Sequence, residues 1–525
     1  MLWAIAEYFQ EKSCATLPTR LLDLQCPDGK IHLVEPAPGS SGIYATLSYR
    51  WGARRDHLTT KDTLSQHIQE VPAGHLPRVF QDAIELCRCL DVQYLWIDSL
   101  CIIQDDTEDW ERESSLMGSI YTHSIFTIAA HTAGSDEEGF LHNYNPLFHV
   151  IRRDGSGQLW KIALSRGFEA EMTSNSSISH RGWVLQERLL SKRILHFLPS
   201  AVYIETKDGV TELGRKRDIR DARTPMLARP LSDDDSKMIA LRSLKSLSQW
   251  FAIVEIYSRC GLTNDRDKLP AMTGIATKLQ MISRDGYISG LWINGDIPSQ
   301  LVWYTADGTS AKRPKPLRAP SLSWASLDGS IKYFLPLNKE EEEYRAFLKS
   351  KAPISYHRLP MTGQHLISLD KDHLINTISH RDTSEPYQIQ ENISLLFHGT
   401  LVDLPRLGRR SKPSNEPPHE DLWTTIDGVF DALRSVQFYR PIELGGETIG
   451  VVFLDEDSDE DVSGTKFQFV SVGAFAKLVV GLIVVEDEDN KGTLRRAGLG
   501  LLIRRFRSGT PVLESGNRRQ PILFS

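Results

Sequence analysis

Short apolar runs alternate with stretches of helical periodicity through the first two hundred residues. Tyr94 to Ile97 is wholly apolar, as in a strand covered on both faces, and Asp98 ends it. Asp105 and Asp106 follow as caps for a helix, with Asp109 adding negative charge near the positive end of its dipole. Trp110, Met117, Ile120 and Tyr121 recur at helical spacing and mark the inward face of that helix, and Ile125 to Ala130 is the next buried strand. Upstream, Tyr44 to Gly52 reads as an internal strand running into a polar, aromatic loop. Pro77 opens a second helix through Val79, Phe80, Ala83, Ile84, Cys87 and Leu90. Strand, helix, strand, helix, strand predicts a parallel sheet with helices on its faces.

The flanks are plainer. LPTRLLDL and KIHLVE predict two short strands around the turn Pro27-Asp28-Gly29, behind an early helix. Leu185, Leu189 and Leu190 predict a short amphipathic helix, and Ile194 to Phe197 and Val202 to Ile204 a strand pair. Residues 207 to 237 are mixed in charge and read as a solvated linker, and residues 238 to 335 begin helically. The last third is β-rich, with acidic runs at Asp455 to Asp461 and Glu486 to Asp489 that read as solvated loop tips. The expected domains are 1–215, 216–338 and 339–525.

Composition narrows the function. In 525 residues, 40% hydrophobic and 25% charged is the balance of an ordinary globular protein. A net charge of -7 supplies no basic field for nucleic acid, which is not expected as a partner. Six scattered cysteines suit a reducing compartment, and Cys87 and Cys89 form only a CxC inside a helix, so core packing is expected there and no metal site. Glu7 interrupts the first apolar run, no basic n-region precedes it, and Leu478 to Val485 is too short to span a bilayer. A cytoplasmic protein is expected.

Candidate chemistry gathers at two strand ends and one helix face. In an open α/β sheet, ligands bind at the carboxyl ends of the strands, which points to Asp98 and to Ser48, Tyr49, Arg50 and Trp51. An Arg there meets phosphate and a Trp stacks on a ring; the alternative for Arg50 is an ion pair with the acidic loop after Asp98. Glu113 falls on or beside the Trp110 face, where a carboxylate is costly unless paired or used. Arg181, Trp183, Gln186, Glu187 and Arg188 crowd polar and aromatic groups together, and buttressing is the expected role. Cys101 as a nucleophile, with His123, His131, His180 or His196 as base, is disfavoured by its apolar neighbours. No GxGxxG turn supports a dinucleotide-binding enzyme of the doubly wound type.

Three blocks, YATLSYRWG, LPRVFQDAIELCRCLDVQYLWIDSLCIIQDDTEDWERESSLMGSIY and RGWVLQERLLSKRILHF, resemble in that order the fungal heterokaryon incompatibility (HET) domain. Where that family has an aromatic-Glu-Cys element, this chain has Tyr203-Ile204-Glu205-Thr206. The resemblance implies fungal nonself recognition ending in programmed cell death. It also implies a distant similarity to Toll/interleukin-receptor (TIR) domains, some of which cleave NAD, and hence a TIR-like parallel sheet flanked by helices, ahead of the helical segment and the β-rich C-terminal region read from the residue pattern. On that likeness Glu113 is the candidate catalytic carboxylate, Asp98 its support, and Ser48, Tyr49, Arg50 and Trp51 the candidate NAD pocket, with no cofactor required. The competing expectation is a non-enzymatic module that self-associates or meets a protein trigger, in which Asp98, Glu113 and Arg50 form one internal ion-pair network.

Overall fold

A computed structural model describes residues 5, 14–141, 148–153, 159–164, 168, 171–172, 176–213, 241–242, 244, 247–293, 297–305, 311–315, 317–333, 367–369, 395–399, 401–404, 407, 409, 439–444, 447–456, 462, 465–475, 478–489, 491–503 and 520–524. The expected early helix, most of the linker and most of the Asp455 to Asp461 run lie outside these residues. The chain divides into two compact units. One takes residues 1–244, 260–262 and 270–278, the other residues 245–259, 263–269 and 279–525.

The first unit is built on an eight-stranded mixed sheet. Its strands are β1 (Leu21–Asp23), β2 (His32–Val34), β3 (Tyr44–Ser48), β4 (Tyr94–Trp96), β5 (Thr127–Ala129), β6 (Arg193–Phe197), β7 (Val202–Thr206) and β8 (Gly209–Glu212). They lie in the order β8-β7-β6-β5-β3-β4-β1-β2. Only the centre is parallel: β4, β3, β5 and β6 run together, with Ala45 beside Leu95, Leu47 beside Ile128 and Leu195 beside Ile128. Both wings are antiparallel hairpins, so the sheet is mixed where a parallel one was expected. The reason is local. Pro27-Asp28-Gly29 turns β1 back onto β2, with Gly29 at φ +75°, and a short loop returns β6 onto β7, so neither pair has a crossover. Strand β8 falls at the start of the expected linker.

Helices flank the parallel centre: α1 (Leu64–Gln69), α2 (Arg78–Cys89), α3 (Asp98–Cys101), α4 (Thr107–His123) and α5 (Gly182–Leu190). Helix α2 buries Val79, Phe80, Ala83, Ile84, Leu86 and Cys87, and leaves Cys89 exposed. Asp106 caps α4 by accepting from the backbone N–H groups of Glu108 and Asp109. All five residues of β3 are buried, with Thr46 on one face satisfied by the Thr127 hydroxyl at 2.7 Å.

The second unit carries a nine-stranded sheet, antiparallel except where Leu494 pairs with Phe524. Its core holds Ile442, Val452, Phe469, Ile483 and Leu502. Asp455 is not a solvated tip. It is buried and accepts from Arg496 Nε at 3.0 Å and Arg313 Nη2 at 2.7 Å, while the Arg496 guanidinium lies 3.4 Å from the Trp303 ring centroid. Among the described residues no helix is long and apolar enough to cross a membrane.

Candidate functional site

The carboxyl ends of β3 and β4 meet, and the first turn of α5 comes to them. Trp51 donates its indole N–H to Asp98 Oδ2 at 2.7 Å, and the Ser99 backbone N–H donates to Asp98 Oδ1 at 2.7 Å. Tyr49 donates its hydroxyl to Ser99 Oγ at 2.9 Å, and Arg181 Nη1 donates to the Tyr49 carbonyl at 2.6 Å. Burial raises the Asp98 carboxyl above its usual range, against the lowering effects of the Trp51 and Ser99 hydrogen bonds and the Arg181 charge.

Glu187 completes the cluster from α5. Its side chain stands with Ser48, Tyr121 and Arg181 around it, is 7% exposed, and burial pushes its carboxyl up to about 7. Glu187 Oε2 and Ser48 Oγ are buried without a hydrogen-bond partner. A carboxyl group of that affinity for protons is suited to accept or deliver one near neutrality. Arg50 is exposed at the rim and forms no ion pair among the described residues, Trp51 is half-buried, and the Arg55 guanidinium lies 5.5 Å from the Trp51 ring centroid.

Glu113 is elsewhere. It is fully buried on α4, 3.9 Å from Arg20 Nη2 and 3.4 Å from Arg112 Nε. Asp109 joins the same network: it pairs with Arg20 and Arg112, and its Oδ2 accepts the Ile103 backbone N–H at 2.8 Å. Arg20 Nε also donates to the Cys101 carbonyl at 2.8 Å. Ser48, Tyr49, Trp51 and Asp98 are thus brought together, and Glu113 is set in a separate ion-pair network whose cations are Arg20 and Arg112 rather than Arg50. Cys101 is buried, and burial pushes its thiol up to about 12.

A third arrangement joins β5, β6 and β7. Ser176 Oγ accepts from the Ser179 backbone N–H at 2.9 Å and from the Ser179 hydroxyl at 2.6 Å, so its own proton faces His131 Nδ1 at 2.7 Å. His131 Nε2–H then donates to His196 Nδ1 at 2.8 Å, and His196 Nε2–H to Glu205 Oε2 at 2.8 Å. Arg188 holds Glu205 through Nε at 2.9 Å and Nη2 at 3.2 Å. Burial keeps both imidazoles neutral, with His196 lowered to about 4 and His131 lowered well below its ordinary value.

Sequence reasoning gave Glu187 only a buttressing role and did not connect His131 with Glu205. The available signal was the density of polar side chains in the Arg181 to Arg188 segment, beyond what an amphipathic helix of that length needs.

The fold and cluster define a mixed α/β domain with ionisable groups at the carboxyl edge of its parallel strands. Residues 44–187 match the family model described as Heterokaryon incompatibility protein (HET), and the chain carries a HET domain over that span. Every member of the strand-end cluster, from Ser48 to Glu187, falls within it. No curated protein and no solved structure matches the chain.

Proposed function

We propose that this protein is a heterokaryon incompatibility effector of fungal nonself recognition and programmed cell death, and that its HET domain acts by cleaving NAD. The observation that carries the chemistry is the meeting of two carboxyl groups raised by burial, Asp98 and Glu187, with Arg181 and Trp51 at the parallel strand ends. Hydrolysis breaks the bond between ribose C1′ and the nicotinamide nitrogen, and the bonding pair goes to the ring, cancelling its positive charge. The oxocarbenium-like centre left at C1′ is stabilised by a nearby carboxylate, as in glycoside hydrolysis. Water adds to C1′ and gives its proton to Glu187, so nicotinamide, ADP-ribose and a proton leave. Trp51 offers a ring to stack on, held by Asp98, and the exposed Arg50 offers a charge for the diphosphate.

This reading moves the catalytic carboxylate from Glu113 to Glu187 and makes Glu113 a brace. The resemblance to TIR domains read from the sequence motifs supports NAD as the substrate by analogy alone. The test is NAD consumption by the purified, concentrated or oligomerised full chain, with Glu187→Gln as control. Turnover lost in the variant supports the proposal. Killing of cells with NAD intact sinks it in favour of a module that acts by assembly, which the ion-paired, buried Glu113 also suits.

A further inference from the structure

Before the HET span begins, the turn between β1 and β2 brings three different metal-ligating groups together. Cys26 Sγ, a carboxylate oxygen of Asp28 and a ring nitrogen of His32 all lie within 4.8 Å of one another. We propose that Cys26, Asp28 and His32 form a binding site for a divalent ion of the zinc type, with its fourth position open to water. The sulfur, oxygen and nitrogen donor set favours zinc over magnesium or calcium, which take oxygen ligands.

The groups around the triad are arranged as a metal site needs. His32 Nδ1 lies 3.3 Å from the Ile68 carbonyl at the end of α1. A carbonyl only accepts, so Nδ1 carries a proton, and Nε2 is the nitrogen a metal would use. That outer hydrogen bond to a backbone carbonyl fixes the ring and tautomer of a ligating histidine. Without a metal, Nε2 meets Asp28 Oδ2 at 3.0 Å as the ion pair of a protonated ring, and a bound cation would take the place of that proton between the two ligand atoms. Asp28 Oδ1 is already held by the Lys30 backbone N–H at 3.0 Å, which leaves Oδ2 for the shared cation. Gly29 donates to the Cys26 carbonyl at 2.9 Å and, at φ +75°, adopts the left-handed conformation that folds the turn back on itself.

A bound ion would clip this turn to the start of β2 and, through His32, to the end of α1. The spacing Cys-x-Asp-x3-His matches no common zinc pattern, and the site emerges only once the turn and the strand are folded.

The experiment is a zinc titration of the full chain under reducing conditions, read by competition with a chromophoric chelator. One ion per chain is expected, with a higher melting temperature in zinc. Cys26→Ser and His32→Gln should each weaken zinc about tenfold or more. Asp28→Asn, which keeps an acceptor for the Lys30 N–H, should weaken it without altering the melting temperature of the zinc-free protein. Cys14→Ser and Cys89→Ser, which remove exposed thiols outside the triad, should leave it unchanged. Absence of stoichiometric binding, or affinity equal to wild type in Cys26→Ser and His32→Gln, overturns the proposal.

Discussion

Glu113 and Arg20 face each other across 3.9 Å in the interior of the first unit, and neither side chain is more than 3% exposed. Arg20 is the shared cation of Glu113 and Asp109. Removing it leaves two buried carboxylates with only the exposed Arg112 as a charge partner, and losing the buried partner in this way costs about 3–5 kcal/mol. Arg20→Ala should therefore lower stability to urea by that order. Glu113→Gln should cost far less, because burial already raises the Glu113 carboxyl and Arg20 keeps Asp109 as its partner. Urea midpoints of the two variants check the contrast, and NAD turnover surviving in Glu113→Gln would separate brace from catalyst.

Glu187→Gln should do the reverse. The folded-state affinity of Glu187 for protons, about 7, lies above the ordinary value of 4.5. Its contribution to stability is therefore complete below about pH 4.5 and is lost as pH rises through 7. A neutral glutamine escapes that loss, so the variant should melt at or above the wild-type temperature at pH 8 while NAD cleavage falls about a hundredfold or more, the usual scale for a lost general base. In the wild type the rate should climb with pH through an apparent value near 7. A flat profile would take the proton-accepting role away from Glu187.

The central strands and their helices are legible because each apolar run fits only one period. Tyr44 to Ser48 alternates at a period of two and Tyr94 to Trp96 is a short apolar run, neither of them fit for an amphipathic helix, and Pro77 marks where α2 starts. The same runs identify Ser48, Tyr49, Trp51 and Asp98, since a polar residue closing a buried strand must emerge at a sheet edge. Glu187 was not legible as part of that edge. It reaches it from a helix far along the chain, and no local pattern says which edge α5 approaches. Asp455 was misread for a related reason: a run of acids looks solvated until its first member meets Arg496, a partner supplied by another strand. Strand direction in the wings is set by the Pro27-Asp28-Gly29 turn and the short loop after β6, and apolar period alone carries no trace of it.

Acid should weaken the β5, β6 and β7 region before the carboxylates elsewhere titrate. His196 is lowered to about 4 from 6.5 by burial, and it faces Glu205, Arg188, Arg242 and His131. The unfolded chain binds a proton that the folded imidazole refuses. Its contribution is therefore present above about pH 6.5 and is lost as pH falls toward 4, up to about 3 kcal/mol for a shift of this size. His131, lowered in the same direction, adds to that loss. Urea unfolding at pH 7.5, 6 and 5 should show the decline, and His196→Gln should flatten it. A wild-type stability constant across that range would refute the neutral imidazole pair.

Gly118 of α4 packs against Gly274 in the 270–278 segment of the first unit. A methyl group on Gly118 would lie 2.7 Å from the Gly274 Cα and 3.1 Å from Leu190 Cδ1. The nearer obstacle is backbone, which cannot rotate aside as a side chain does. Gly118→Ala should therefore destabilise the protein by about 1–3 kcal/mol, although alanine is the better helix former. Gly274→Ala meets the same backbone from the other side, with Gln186 Oε1 at 2.7 Å as well. Gln186 Oε1 accepts the Gly274 N–H at 2.7 Å, so the second variant also disturbs a buried hydrogen bond next to Glu187. Thermal melts should place both variants below wild type, Gly274→Ala the lower. NAD turnover measured well below both melting temperatures should fall in Gly274→Ala and hold in Gly118→Ala.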